Sequence, residues 1–293
     1  VTLHWHIRDR VLDLSQRPLI LGILNVTPDS FSDGGQHATA SDAVAYGLTL
    51  LQQGADMLDI GGESTRPGSL PVPVDVELDR VLPVVVGLRQ RTDAPLSVDT
   101  SKADVARRCL EAGADIINDV TALAGDAQMA QVVRDSGAGA ILMHMQGTPA
   151  TMHLAPHYDD VIAEIRNFFH DRLNALQCMG LAANKLVLDP GLGFGKTLDH
   201  NLAILARLDA FLQLGRPICL GVSRKGMLGQ ITGRPRDERA TATALVGLYE
   251  TLKDAAHIHR VHDVLATRDA LRLAAALRHA EMKAAQVQSP TQG

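Results

Sequence analysis

Leu19-Ile20-Leu21-Gly22-Ile23-Leu24-Asn25 is a short apolar run that stops on a polar side chain, with Pro18 ahead of it. A continuous run of that length fits a strand buried on both faces, as in a parallel sheet. The same unit recurs: apolar runs at 19–24, 57–60, 96–98, 116–117, 140–143, 186–188, 218–222 and 258–261 are bounded by Gly, Pro, Asp or Asn. Between them, helical periodicity covers 41–53, 74–91, 102–112, 127–136, 159–179, 201–214 and 239–254, and a last helix covers 267–285. Strict alternation predicts a parallel sheet, because parallel neighbours need a crossover that is usually helical. Eight such units in 293 residues predict a single (β/α)₈ TIM barrel, an α/β fold that takes about 250 residues. A doubly wound open sheet shares the alternation. It would, however, gather its polar residues at one switch point, and no Gly-rich dinucleotide fingerprint follows the first run. The N-terminal stretch, where Leu12 and Leu14 alternate with charge, is expected to form a short β ribbon plugging the barrel floor. Residues 1–285 read as one domain without a linker, and the polar 286–293 as a disordered tail.

Composition supports this architecture and narrows the partners. The chain is 46% hydrophobic but only 3% aromatic, so its core must be mostly Ala, Val, Leu and Ile. Net charge is −5 with no basic stripe, which argues against nucleic acid. An anionic substrate would have to rely on a few local cations and backbone amides. Cys109, Cys178 and Cys219 are far apart and outside any Cys-x-x-Cys spacing, as expected for reduced thiols rather than disulfides or a zinc site. No basic segment followed by an apolar stretch opens the chain, and no run reaches the length of a membrane span. A cytoplasmic protein without membrane contact is the expectation.

Barrel enzymes place their reacting groups at the C-terminal strand ends and on the loops that follow. Here those positions carry Asn25, Gly61-Gly62-Glu63, Asp99, Asn118-Asp119, His144, Asp189, Ser223-Arg224-Lys225, and Arg260 with His262. Asp99, Asn118 and Asp189 together suit a flat, amine-rich heterocycle, since carboxylates accept paired N–H groups and an amide both donates and accepts. The plain alternative is that Asp99 and Asp189 are helix N-caps. Ser223 is expected at a helix N-terminus, a seat for a carboxylate or phosphate, with Lys225 one turn in; a capped helix with solvated basic residues is the alternative. Alternation along the eighth strand puts Arg260 and His262 on one face, fit for phosphate, and His257, His259 and Val261 on the other. That separation argues against zinc on His257, His259 and His262. Two long loops, 25–35 and 61–68, combine glycines, a proline, hydroxyls and charge, as lids do. Gly191-Leu192-Gly193-Phe194-Gly195-Lys196-Thr197 lacks phosphate-loop spacing and reads as a flexible rim carrying Phe194.

Taken in order, these motifs are recognisable. Gly22-Ile23-Leu24-Asn25-Val26-Thr27-Pro28-Asp29-Ser30-Phe31-Ser32-Asp33-Gly34-Gly35 resembles the first signature of the dihydropteroate synthase family, and Asp59-Ile60-Gly61-Gly62-Glu63-Ser64-Thr65-Arg66-Pro67-Gly68 resembles the second. Val98-Asp99-Thr100, Ile117-Asn118-Asp119, Met143-His144-Met145, Leu188-Asp189-Pro190-Gly191, Ser223-Arg224-Lys225 and Arg260-Val261-His262-Asp263 follow in the family's order, over nearly the whole chain. The resemblance implies a transferase of folate biosynthesis. It would condense 6-hydroxymethyl-7,8-dihydropterin pyrophosphate with p-aminobenzoate, giving 7,8-dihydropteroate and pyrophosphate along an SN1-like path.

The resemblance also implies roles for individual residues. Asp99, Asn118, Met143, Asp189 and Lys225 would bind pterin. Phe31, Thr65, Pro67, Phe194 and Ser223 would shape the p-aminobenzoate site. Asn25, Thr65, Arg66, Arg260 and His262 would bind pyrophosphate, with Asn25 placing Mg²⁺. Asp33 in the first loop would join Asp99, Asp189, Lys225, Arg260 and His262 in catalysis. A homodimer and competition by sulfonamides are further implications. Gly226 stands where the family often has Ser, and Ala255 near a position usually Gly; neither removes a named group. A methyltetrahydrofolate-dependent methyltransferase would keep the Asp/Asn/Asp set but not the anion site, and a non-catalytic pterin-binding homologue would be marked by loss of Lys225, Arg260 or the lid residues. A fusion with the pyrophosphokinase that makes the substrate is not expected at this length.

Overall fold

Two short antiparallel strands, β1 (His4–Ile7) and β2 (Arg10–Asp13), precede eight parallel strands in the computed structural model, which describes residues 3–27, 39–66 and 68–288. The parallel strands are β3 (Leu19–Asn25), β4 (Met57–Gly61), β5 (Leu96–Asp99), β6 (Ile116–Asp119), β7 (Gly139–Met143), β8 (Leu186–Asp189), β9 (Cys219–Leu220) and β10 (Ile258–Val261). Each pairs with its chain neighbour from β3 to β8, and β10 lies between β3 and β9. The remaining seam closes where Leu188 bridges Ile218 and donates its N–H to the Pro217 carbonyl at 2.9 Å. The expected barrel is therefore the observed one.

The helices are α1 (Ala40–Gln53), α2 (Val74–Arg89), α3 (Ala103–Glu111), α4 (Met129–Ser136), α5 (Val161–Cys178), α6 (Leu198–Ala206), α7 (Gly226–Thr232), α8 (Ala240–Leu252) and α9 (Val264–Gln288). Four features differ from the sequence reading. The helix expected over 201–214 is α6 followed by a 3₁₀ segment, Leu208–Leu214. It also starts earlier, because Thr197 caps it reciprocally with His200, a polar start that apolar periodicity does not register. The seventh strand shortens to Cys219–Leu220: its ladder ends at Gly221, where a Cβ would stand 3.3 Å from the Asp189 carboxylate. Helix α7 is short and Gly-containing and has no apolar period long enough to announce it. At the C-terminus, α9 continues to Gln288, into the segment read as tail.

Period-two alternation sorts the strand residues into layers. Leu21, Met57, Ile116, Ile141, Val187, Cys219 and Ile258 face inward at the bottom of the barrel and form one buried cluster with Trp5 and Ile7 of the ribbon. The ribbon thus fills the floor, as expected from its alternation. Trp5 is fully buried and donates its indole N–H to the Lys185 carbonyl at 2.9 Å. Gly139 makes room for it: a Cβ there would lie 2.5 Å from Ile7. Two residues further along five of these strands the inward positions become Asp59, Asn118, Met143, Asp189 and Arg260. The chemistry therefore sits one interior layer above a sealed hydrophobic floor.

Trp5→Ala would leave a cavity under the barrel and should lower the unfolding free energy by about 3–5 kcal/mol, measured by urea denaturation followed by circular dichroism. An unchanged midpoint would show that the ribbon is not part of the cooperative core.

Candidate active site at the strand ends

Arg260 on β10 spans the polar layer. Its Nε donates to Asp59 Oδ2 at 2.6 Å and its terminal nitrogen to Asp99 Oδ2 at 2.6 Å. Asp59, fully buried on β4, also accepts from Ser97 Oγ at 2.6 Å and from Asn118 Nδ2 at 3.0 Å. One carboxylate thus orients three strands, and the reading of the sequence passed over it. Asp59 lies inside an apolar run, and the signal that would have found it is its position two residues after the floor residue Met57. Burial opposes the Arg260 charge, but the two carboxylates more than offset it, so the guanidinium is always protonated. Burial lifts the Asp99 carboxyl above its usual range, with Asp59, Glu77 and Asp119 adding to the effect against the pull of Arg260. One cation cannot fully compensate two buried carboxylates.

Asp189 and Asp99 are not helix caps: α6 is capped by Thr197 and α3 is preceded by Lys102. Asp189 does make a turn, accepting the Gly191 N–H at 2.8 Å, and burial raises its pKa against that bond and against Lys225. Lys225 corrects the expectation that it lies one turn into a helix. It is the N-cap position of α7, extended at φ −60° and ψ 154°, after Arg224 in the left-handed region at φ 56°. Its ammonium sits 3.9 Å from the Phe194 ring centroid. Burial lowers its pKa to about 8, with Arg260 pushing the same way and Asp189 and Asp99 opposing.

Ser223 is likewise not at a helix N-terminus; it serves His262. Its Oγ accepts the His262 backbone N–H at 3.1 Å and lies 2.9 Å from His262 Nδ1, so the hydroxyl proton is free to go to that nitrogen and leave Nε2 as the imidazole donor. Burial, then Arg260, Arg224, Arg236 and Lys225, hold His262 down to about 3, so it is neutral at physiological pH. Arg224 is paired with Asp263 at 2.9 Å. Exposed Arg66 faces Arg236, whose charge is disfavoured by burial and then by Arg66 and Arg224. Arg236 is a further cation of this rim that the sequence reading missed. His257 and His259 are structural, as expected: His257 Nδ1 accepts the Ile218 N–H at 3.1 Å, and His259 lies 3.2 Å from Thr251 Oγ1.

Thr65, Asp99, Asn118, Val120, Met143, Asp189, Gly191, Phe194, Gly221, Lys225 and Arg260 line one cleft. The structure thus joins the expected pterin set with Thr65 and Phe194, and places His262, Ser223 and Arg66 outside its lining. Met152, from the loop after β7, packs with Val120, Met143 and Phe194 as a wall the sequence did not announce. Phe31, Asp33 and Pro67 lie outside the described residues. The described part of the second loop is anchored from below by Lys102, which pairs with Glu63 and with buried Glu77, and Gly68 N–H donates to the Pro149 carbonyl at 2.9 Å. A larger groove of about 400 Å³ lies beside Arg8, Arg107 and Asp135, away from the strand ends.

Asn25 ends β3 next to Asp99: a Cβ on Gly61 would stand 3.7 Å from Asn25 Oδ1 and 3.5 Å from Asp99 Cβ. Among the described residues no group of three or more His, Cys, Asp or Glu could hold a metal. One amide oxygen beside a carboxylate nevertheless fits Mg²⁺, which is usually bound through one or two protein oxygens plus substrate phosphates.

Comparison with known proteins agrees with this geometry. The pterin binding enzyme family matches residues 21–262. Dihydropteroate synthase of Escherichia coli K12 is 46% identical over 262 residues, covering 89% of this chain and 92% of that protein. The crystal structure of Yersinia pestis dihydropteroate synthase with a sulfonamide drug complex superposes with a TM-score of 0.89 at 44% identity, covering 94% of this chain and all of the other. That of Xanthomonas albilineans dihydropteroate synthase with 4-aminobenzoic acid gives a TM-score of 0.88 at 45% identity, covering 95% and 99%. No described helix is long and apolar enough to cross a membrane.

Asp59→Asn would remove one of the two charges holding Arg260 and should destabilise the fold by about 3 kcal/mol, read from chemical denaturation. Wild-type stability in this variant would show that Asp59 does not hold the layer together.

Proposed function

Because this chain belongs to the pterin binding enzyme family and, within it, to the dihydropteroate synthases, we propose that it joins 6-hydroxymethyl-7,8-dihydropterin pyrophosphate to p-aminobenzoate, releasing pyrophosphate and 7,8-dihydropteroate. The observation that carries the reading is the interior layer of Asp99, Asn118, Asp189, Lys225 and Arg260 around one cleft. Asp189 and Asn118 match the amidine-like edge of a pterin, which presents paired N–H groups to an acceptor. Met143 packs beside the ring, and Lys225 supplies a donor to its carbonyl side.

The pyrophosphate would face Thr65, Arg66, Arg260 and His262, with Asn25 placed to hold Mg²⁺. When bound, that ion would neutralise charge on the departing group. Neutral His262, oriented by Ser223, contributes an N–H donor in a rim already rich in positive charge, where charge that develops as the C–O bond breaks is best stabilised. The pterin methylene becomes cationic as pyrophosphate leaves, and Asp99 and Asp189, which both line the cleft, would stabilise it. An aniline nitrogen is a weak nucleophile, which favours departure ahead of attack. Phe194 and Thr65, with Phe31, Pro67 and Ser223, would seat p-aminobenzoate, and Asp33 and the two loops would keep water from the cation. The exposed row Leu245, Tyr249 and Leu252 on one face of α8 supports a homodimer, which sedimentation velocity would test.

Incubation with dihydropterin pyrophosphate, p-aminobenzoate and Mg²⁺ should yield dihydropteroate and pyrophosphate in equal amounts, and a sulfonamide should inhibit competitively with p-aminobenzoate. Folded protein that forms no product would overturn the reading. Lys225→Met should lower kcat/KM by about 10²–10³-fold. Because Lys225 loses its charge as pH rises through about 8, wild-type kcat/KM should fall there and the variant's profile should lack that limb.

A further inference from the structure

We propose that Lys196 is a positioning residue for the aryl-amine half of the site: it ties the loop after β8 to the end of β7 and so holds Phe194 in place. The inference rests on the reading that p-aminobenzoate binds against Phe194. Lys196 is only 8% exposed, and its ammonium makes no carboxylate pair within 4.0 Å among the described residues. Instead Nζ lies 3.0 Å from His144 Nδ1, 3.0 Å from the Phe194 carbonyl and 3.4 Å from the His144 carbonyl.

The loop needs such a tie. Gly191, Gly193 and Gly195 all adopt left-handed φ, at 69°, 78° and 65°; Asp189 accepts the Gly191 N–H and Asn201 the Gly193 N–H, and the Phe194 carbonyl between the last two glycines is left to Lys196. Gly191 and Gly195 lie so close to the main chain of His144 and Gln146 that a Cβ at either would collide with a carbonyl oxygen. Phe194 meets Val120, Met143 and Met152 on one side and lies under the Lys225 ammonium at 3.9 Å on the other. Movement of its main chain is therefore felt by both the aryl wall and Lys225.

The tie depends on protonation. An ammonium has three donors for three acceptors; a neutral amine has two donors and a lone pair, so one of the three contacts is lost unless the imidazole changes tautomer and donates to that lone pair. Burial lowers Lys196 to about 7, opposed by Asp189 and assisted by Lys225. Burial and then Lys196 hold His144 at about 3, so its Nδ1 is available as an acceptor. The groups facing Nζ are His144 from β7, Tyr158 ahead of α5 with its ring centroid at 6.0 Å, Asp189 of β8 and Lys225 ahead of α7. Raising pH through about 7 loosens the tie, because charge-assisted hydrogen bonds are about twice as strong as neutral ones.

Steady-state kinetics with both substrates test this. Lys196→Met should raise KM for p-aminobenzoate about tenfold while kcat and KM for dihydropterin pyrophosphate stay within about twofold. Wild-type KM for p-aminobenzoate should rise between pH 6 and 8, and the variant should be flat through about 7, both keeping the later change set by Lys225 near 8. His144→Phe preserves packing on Phe168, now at 4.9 Å between centroids, and should shift the same KM in the same direction. His144→Asn, whose amide oxygen can take the place of Nδ1, should restore it. If Lys196→Met does not fold, the His144 pair and the wild-type pH profile decide. An unchanged KM for p-aminobenzoate, or equal losses for both substrates, overturns the inference alone; absence of product from the wild type overturns the functional reading and this inference with it.

Discussion

One guanidinium held between two carboxylates organises the catalytic end of this barrel. Arg260 reaches from β10 to Asp59 on β4 and Asp99 on β5, and Asp59 in turn fixes Ser97 and Asn118. These groups are removed from water, so an unpaired member would be costly, and the layer is stable only when its charges are matched. Burial, with one cation set against two carboxylates, raises the Asp99 pKa and suits the cleft to groups that donate N–H bonds or carry developing positive charge.

That arrangement depends in turn on the floor. Polar side chains can line the upper barrel because the layer beneath is dry and filled by Trp5, Ile7 and the lower strand residues. Cleft and floor are consecutive steps of one alternation, so a strand that slipped by a residue would lose both together. The rim adds a second specialisation. Arg66, Arg224, Arg236 and neutral His262 give it a positive potential in a protein of net charge −5, so the anion-binding character is local to the strand ends.

Much of this was legible in the chain because period-two alternation is a strong signal. Asn25, Asp99, Asn118 and Asp189 stand at the ends of apolar runs, and Arg260 inside one shares its face with His262, so each stands out as a polar group against an apolar pattern. Asp59 and Lys196 were missed for physical reasons. Asp59 is surrounded in sequence by Leu58 and Ile60, and only its distant partners, Arg260 and Asn118, explain how a charge survives there. Lys196 looks like a rim cation because two of its three acceptors belong to His144, just past β7 and outside its own loop. The expectation of a helix starting at Ser223 failed because the chain takes a left-handed residue at Arg224 first, where the guanidinium pairs with Asp263 and the backbone N–H donates to Thr243 of α8, contacts that local sequence does not announce.

The ribbon under the barrel also constrains how the molecule is made. Trp5 leaves the ribosome well before its partners Lys185, Val187, Cys219 and Ile258, and its indole bond spans 180 positions. Contacts that distant in sequence require large loops to close before they stabilise anything. The hydrophobic ribbon must therefore wait in solvent, or in some temporary contact, until the eighth strand arrives and the barrel shuts over it. The seal under the finished barrel is, in the nascent chain, a sticky segment that must stay exposed until its last partner strand is made.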